Sequence, residues 1–412
     1  MQKNWNRTLL TMAVAAMGSA LFAAAQTPAP AAPAAPTAAA PADAAPAPLS
    51  TFVLSGPLQW LPPATFDAGP LGKLSVNGIL TGFGRFQNNP MTAAGDDNKN
   101  ATLSNGQIFI QKADGKYQWY VQAGAYTMPT LGAAFLDAKT TVSSYYGPVP
   151  VAFLKLPLGK TTSIQGGSLP TLMGAESTFT YQNFNIERGL VWNQENAINR
   201  GVQVNQALGK YITASLSLND GYYSNRYNFI SGSVTFTKGP HSLVYDGMGN
   251  TGQTVFQTAA TPVQNNGSMH AVIYTYTKGA WIVQPYYQHS SVPTNAKVGV
   301  IKGATTDGGA ITINRSFKSG FSLPARFEYL TSSGNGSPTT VNLIYGPGSA
   351  ATSFTATPTY QKGGFFARGD ISFVHATTYT SGDVFGAKGT DPTQVRGVFE
   401  FGFIFGNNIT TK

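Results

Sequence analysis

The stretch GVFEFGFIF, from Gly397 to Phe405, places phenylalanine at every second position. In a helix successive rings would be rotated by roughly 200° and would scatter over two faces, whereas a strand sets Phe399, Phe401, Phe403 and Phe405 on one face. Burying each ring contributes on the order of 1.5 to 3 kcal/mol. On a soluble sheet the same four rings in water would form an aggregation edge. The segment therefore predicts a strand with one greasy side and a reason to keep that side out of water.

The same period runs from Lys73 onward in segments of about eight to twelve residues, and the connections alternate in length. Short turns rich in Gly and Lys fall at ADGK (113–116), PLGK (157–160), LGK (208–210), KGP (238–240), KGA (278–280), KSG (318–320) and KGG (362–364). Between them lie longer polar connections such as 87–102, 249–267, 292–308 and 377–393. Seven short and eight long connections imply about sixteen strands, and tight turns at one end with long loops at the other are the pattern of an outer-membrane barrel. A bilayer leaves no water for unpaired backbone groups, so a spanning sheet must close on itself. A soluble β-sandwich or propeller also buries one face, but it rarely shortens every second connection along a whole chain. The expected fold class is all-β, a transmembrane antiparallel up-and-down barrel over 73–405, followed by a short tail, 406–412.

Composition agrees with alternation rather than uniform greasiness. Only 10% of the 412 residues are charged, against 42% hydrophobic and 12% aromatic, and mean hydropathy is −0.08. Beyond the first 25 residues no apolar run approaches the roughly 18 residues a spanning helix needs. With no cysteine, disulfides and thiolate metal sites are excluded.

Strand parity assigns the charges. In GFSLPARFEYL, Arg326 and Glu328 oppose Phe321, Leu323, Phe327 and Tyr329; in FFARGDISFV, Arg368 and Asp370 oppose Ala367, Gly369, Ile371 and Phe373; in the last strand Arg396 and Glu400 oppose the phenylalanines. A lipid-facing Arg costs roughly 2 to 4 kcal/mol at the bilayer midplane, so these six charges are expected to line the lumen. Gln203 and Asn205 against Val202 and Val204, and Thr213, Ser215 and Ser217 against Ile212, Leu216 and Leu218, repeat the division. The first strand is ambiguous, because Ile79 and Phe83 share parity with Lys73 and Arg85.

The N-terminus reads as an export signal: Lys3 and Arg7, the apolar centre TLLTMAVAAMGSALF, then Ala23-Ala24-Ala25 before Gln26. A retained membrane anchor is the alternative. Cleavage would remove two cations and lower the net charge from +9 to +7. The cations are dispersed, so no nucleic-acid patch is expected. From Gln26 to Pro48 the chain is almost entirely Ala, Pro and Thr, an extended spacer that cannot build a core. The spacer is assigned to 26–72, with the part from Leu49 either packing at the barrel rim or continuing the tether.

The longest connection, Leu169 to Arg200, suits a segment that folds inward and narrows the bore. Its Glu176, Glu187, Arg188 and Glu195 would then face the arginine-bearing wall and set a transverse field. A solvated surface loop with weak ion pairs is the other reading.

Chemistry is poorly supported. Four histidines, His241, His270, His289 and His375, stand far apart, and no GxSxG or HExxH occurs. A Ser/His pair assembled from neighbouring strands would make a barrel hydrolase, and long loops over an occluded lumen would make a binding or adhesion barrel. The GDDNKN stretch, 95–100, has oxygen ligands but lacks the glycine and terminal glutamate of an EF-hand loop, so it reads as a polar loop. No cofactor and no metal are expected.

Several segments resemble the OmpL-like family of bacterial outer-membrane β-barrel porins: LSVNGILTGFGRFQNNP, GGSLPTLMGAE, ERGLVW followed by NRGVQV, LPARFEYL, and FFARGDISF with the phenylalanine-rich last strand. The resemblance covers 73–405 and implies an outer-membrane diffusion channel for small hydrophilic solutes, with lipid and solute as partners and a homotrimer by analogy. The tail after Phe405 departs from barrels that end on an aromatic residue. The positive balance and luminal arginines lean towards anionic solutes.

Overall fold

The computed structural model describes residues 56–93, 95–254 and 262–407. The export signal, most of the spacer and the end of the tail lie outside the described residues.

Alternation produces strands where it was expected. After a short leading strand β1 (Ala64–Asp67), the barrel begins with β2 (Lys73–Gln87), β3 (Lys99–Lys112), β4 (Gln118–Tyr126), β5 (Val151–Leu158) and β6 (Thr162–Pro170). It continues through β7 (Ile198–Leu208), β8 (Ile212–Asn219), β9 (Phe229–Lys238), β10 (His241–Asn250), β11 (Ser268–Lys278) and β12 (Trp281–Val292). The last are β13 (Ala304–Ser316), β14 (Phe321–Ser332), β15 (Ala350–Ala356), β16 (Thr359–Lys362), β17 (Phe365–Thr378) and β18 (Thr393–Phe405). Every pairing in the sheet is antiparallel, and β2 pairs with both β3 and β18, which closes the ring. Closure leaves no open edge and satisfies the backbone internally.

The ring has sixteen staves. β15 and β16 both pair with β14 and β17, so they are two pieces of one stave, interrupted at Thr357-Pro358. Proline has no N–H to give the ladder, which is why the stave breaks there. β1 pairs with Lys73–Val76 of β2, just past the point where β18 stops at the Phe405–Gly78 pair, and so prolongs the β18 stave.

All seven short connections join consecutive strands at one end. Gly239, Gly279 and Gly363 each open a two-residue turn at φ near +58°; with Pro240 necessarily at negative φ, the first of these is a type II′ hairpin. Exposed aromatic residues sit beside this turn end, among them Tyr211, Trp281, Phe317 and Phe365, with Lys210 and Lys238 over the Tyr211 ring and Arg315 over Trp281 and Phe317. That is the make-up of an interfacial girdle.

The outer face is apolar. Val202, Leu216, Phe327, Ile371, Phe399, Phe401 and Phe403 are each about half exposed or more, while Phe405 at the strand end is partly covered. The ambiguity of the first strand resolves inward: Ile79, Thr81, Phe83 and Arg85 are buried, and Leu80 and Phe86 face out. Phe83 stacks on Phe135, which also lies under the Arg85 guanidinium at 4.5 Å.

Residues 56–72 do more than tether. Leu58 is buried with Ile79, Phe109, Phe366 and Ile404, and Trp60 meets Phe109 and Tyr181 edge-on at 5.3 and 5.4 Å. Gln59 and Gln361 exchange hydrogen bonds, and Asn77 donates to the Leu61 carbonyl. The segment thus lies against the turn-end mouth.

Candidate functional site

Between β6 and β7 the connection 171–197 is buried along nearly its whole length inside the barrel. Its course follows from what it finds on the wall. Arg326 pairs with Glu176 from the loop and with Glu328 from its own strand, the latter at 3.1 Å, and donates to the Glu187 carbonyl. Arg396 pairs with Glu187 at 2.9 Å and with the backbone of the 127–150 connection at Thr130 and Ala133. Arg368 pairs with Glu400 at 2.6 Å and donates to the Asn183 carbonyl.

The wall carboxylates hold the loop's backbone in return. Asp370 accepts the N–H groups of Ile186 and Glu187 at 3.1 and 2.9 Å, and Glu328 accepts from Val191. Glu400 accepts the Thr180 hydroxyl at 2.7 Å. From β12, Tyr286 donates to Glu195 and Gln288 to the Val191 carbonyl. Arg188 turns away from the arginine-bearing wall, donating to the Thr178 carbonyl of its own loop and to the Pro129 carbonyl of the 127–150 connection, with its guanidinium 4.0 Å above the Trp192 ring.

The six wall charges expected to line the lumen do point inward, and the four loop charges are brought to the same region. Both sets are covered, however. Arg326, Glu328, Arg368, Asp370, Arg396 and Glu400 are each at most 2% exposed. Instead of standing bare across a bore, Arg326, Arg368 and Arg396 pair with Glu176, Glu328, Glu400 and Glu187 at the seam between loop and wall, while Asp370, Glu195 and Arg188 are held there by hydrogen bonds. A glycine lets the loop approach the wall so closely, since a Cβ on Gly189 would run into the Glu328 carboxylate; another, Gly174 at φ +83°, lets the loop fold on itself against the Glu195 carboxylate.

The free volume lies on the other side. A cavity of about 220 Å³ sits between the loop and β9–β11, bordered by Ser233, Thr235, Ser242, Asp246, Thr275 and the loop residues around Met173. A second, of about 410 Å³, is lined by β4–β8 towards the turn end, with Lys155, Lys160, Gln203 and Asn205 on its wall. Asp246 was not singled out in the sequence, although parity in LVYDGMGN sets it opposite the exposed Leu243 and Tyr245.

Asp96 of the GDDNKN stretch is an internal anchor: Arg85 pairs with it at 2.6 Å, and Gln87, the Met91 N–H and the Phe135 N–H also donate to it. Among the described residues no group of three metal-ligating side chains occurs.

Three solved structures share the architecture: the outer-membrane channel DcaP of Acinetobacter baumannii (TM-score 0.55, 10% identity, 84% of this chain and 100% of that one), OmpT of Vibrio cholerae (0.52, 11%, 83% and 100%), and Salmonella typhi OmpF in complex with daunomycin (0.52, 12%, 83% and 100%). At such identities they speak for the fold alone. No curated protein matches in sequence. The family model described as putative beta-barrel porin-2, OmpL-like, matches residues 73–405, the whole of the closed barrel, and the chain belongs to that family.

Proposed function

We propose that in this outer-membrane porin, a passive channel for small hydrophilic solutes, the path runs along the β4–β11 side, past the free face of the loop 171–197. The arginine-bearing staves β14, β17 and β18 act as a clamp that seats the loop. The single observation that carries this reading is the asymmetry of the interior: ion pairs fill one half, and hydroxyl- and amide-lined cavities occupy the other. Neutral hydroxyls and amides exchange hydrogen bonds with a passing hydrated solute at little net cost, as a diffusion path requires.

Export by removal of residues 1–25 fits the leader, and N-terminal sequencing of protein from outer membranes should then begin at Gln26. A homotrimer fits the trimer form of Vibrio cholerae OmpT; cross-linking in native membranes tests it. The decisive experiment is single-channel recording in planar bilayers. Stable ohmic steps support the pore, and folded, heat-modifiable protein that never conducts would instead favour a barrel working through its loops.

A further inference from the structure

The chain's positive balance reaches the two cavities only through Lys155 and Lys160 on the wall of the larger one. Every described lysine is at least partly exposed, and seven of them fall within the short-turn segments, at positions 116, 160, 210, 238, 278, 318 and 362. Among the described residues the fully buried cations are five arginines, and they face eight buried carboxylates. Four of those arginines are bound into ion pairs with carboxylates, and the fifth, Arg188, is committed to loop carbonyls and the Trp192 ring. The interior is therefore acidic in surplus.

Glu195 and Asp246 carry part of the surplus on the open side, Glu195 within the loop beside Gly174 and Asp246 on the wall. Asp246, on β10, is 1% exposed and borders the smaller cavity. Its Oδ2 accepts the Gly174 N–H at 3.2 Å, which ties β10 to the loop. Its Oδ1 accepts no hydrogen bond from the described residues, and no cation pairs with this carboxylate. Its partners in register are Ser233 and Ala271, so the neighbouring staves offer a hydroxyl and a methyl. Glu176, the other acid on the cavity, is engaged by Arg326 and the Gly189 N–H. A buried carboxylate with a spare oxygen lacks the compensation that burial demands.

We propose that this cavity is a cation subsite, with the Asp246 carboxylate as its anchoring acceptor, the Ser233 hydroxyl beside it in register and the hydroxyls of Thr235, Ser242 and Thr275 lining the approach along β9–β11, and that it makes the channel prefer small cations, including those carrying a primary ammonium, over anions. The inference rests on the reading of the chain as a conducting porin and on the path along β4–β11. Oxygen acceptors replace the water that such a cation sheds, and a buried carboxylate favours the passage of the cation that compensates it. Lys155 and Lys160 border the larger cavity, which shares Pro170 and Leu172 with the smaller one, and pull the other way. Selectivity is set where the solute is most confined, and the smaller cavity holds the acid.

The test is the reversal potential of the full-length porin in planar bilayers under a potassium chloride gradient, repeated with ethanolammonium chloride. Potassium is expected to permeate several times better than chloride, with ethanolammonium also favoured over chloride. Asp246→Asn keeps an acceptor for the Gly174 N–H and should lower the ratio by about threefold or more. Thr275→Lys, on the same cavity but not in the loop seam, should lower it as well, which keeps the test alive if the first variant does not fold. Heat-modifiable migration reports folding for both. Conductance with anion preference in the unaltered porin, or a ratio untouched by either folded variant, overturns the subsite. Absence of conductance in the unaltered, folded protein would instead defeat the channel reading beneath it.

Discussion

Arg368 on β17 and Glu400 on β18 stand directly opposite in register, and their side chains pair at 2.6 Å with neither exposed to solvent. The pair is also the seat of the loop, since Glu400 receives Thr180 and Arg368 reaches the Asn183 carbonyl. Glu400→Ala strands a buried guanidinium and should destabilise the barrel by about 3 to 5 kcal/mol, whereas Arg368→Met combined with Glu400→Leu should recover most of that loss. The midpoint of the heat-modifiable gel shift in detergent checks both. Equal stability of the single variant and the parent would mean that the pair is solvated in the folded porin.

Loop seating should also respond to a single methyl. Gly189→Ala places a Cβ against the Glu328 carboxylate, in a region with no room to move, and should unseat the loop. The expected outcome is a larger and noisier single-channel conductance with the sheet intact. An unchanged conductance would show that the loop does not border the path.

The segment ahead of the barrel offers a second constriction. Trp60 packs edge-on against Phe109 of the wall and Tyr181 of the loop. Aromatic pairs of this kind are worth about 0.5 to 1.5 kcal/mol beyond their area. Trp60→Ala should therefore loosen the turn-end mouth, giving higher conductance and faster proteolytic cleavage near Gln59 in reconstituted vesicles. Trp60→Phe should stay close to the parent in both measurements.

On the outer surface, Phe401 is half exposed in the middle of the last strand and its neighbour Phe399 lies 5.5 Å away, centre to centre. Phe401→Arg should cost roughly 2 to 4 kcal/mol if the ring sits near the bilayer midplane. Denaturant titration of folding into lipid vesicles measures it. A cost near zero would place the ring at the interface or outside the lipid.

The sequence determined by itself the barrel, its sixteen staves, its short-turn end and the two faces of β14, β17 and β18. Those features rest on local geometry: side chains alternate across a strand whatever the rest of the chain does, and a tight turn is written in two or three residues. Which inward charges stay free is settled by long-range packing. Glu176 and Arg326 lie 150 residues apart and meet because the ring brings them together, and nothing near either one announces the other. The same holds for the inward turn of the loop, for Leu58 and Trp60 at the mouth, and for Asp246, whose parity was visible but whose spare oxygen was not. Pairing inside a closed cylinder is a long-range outcome, and it consumes the arginines that composition alone would have left to attract anions.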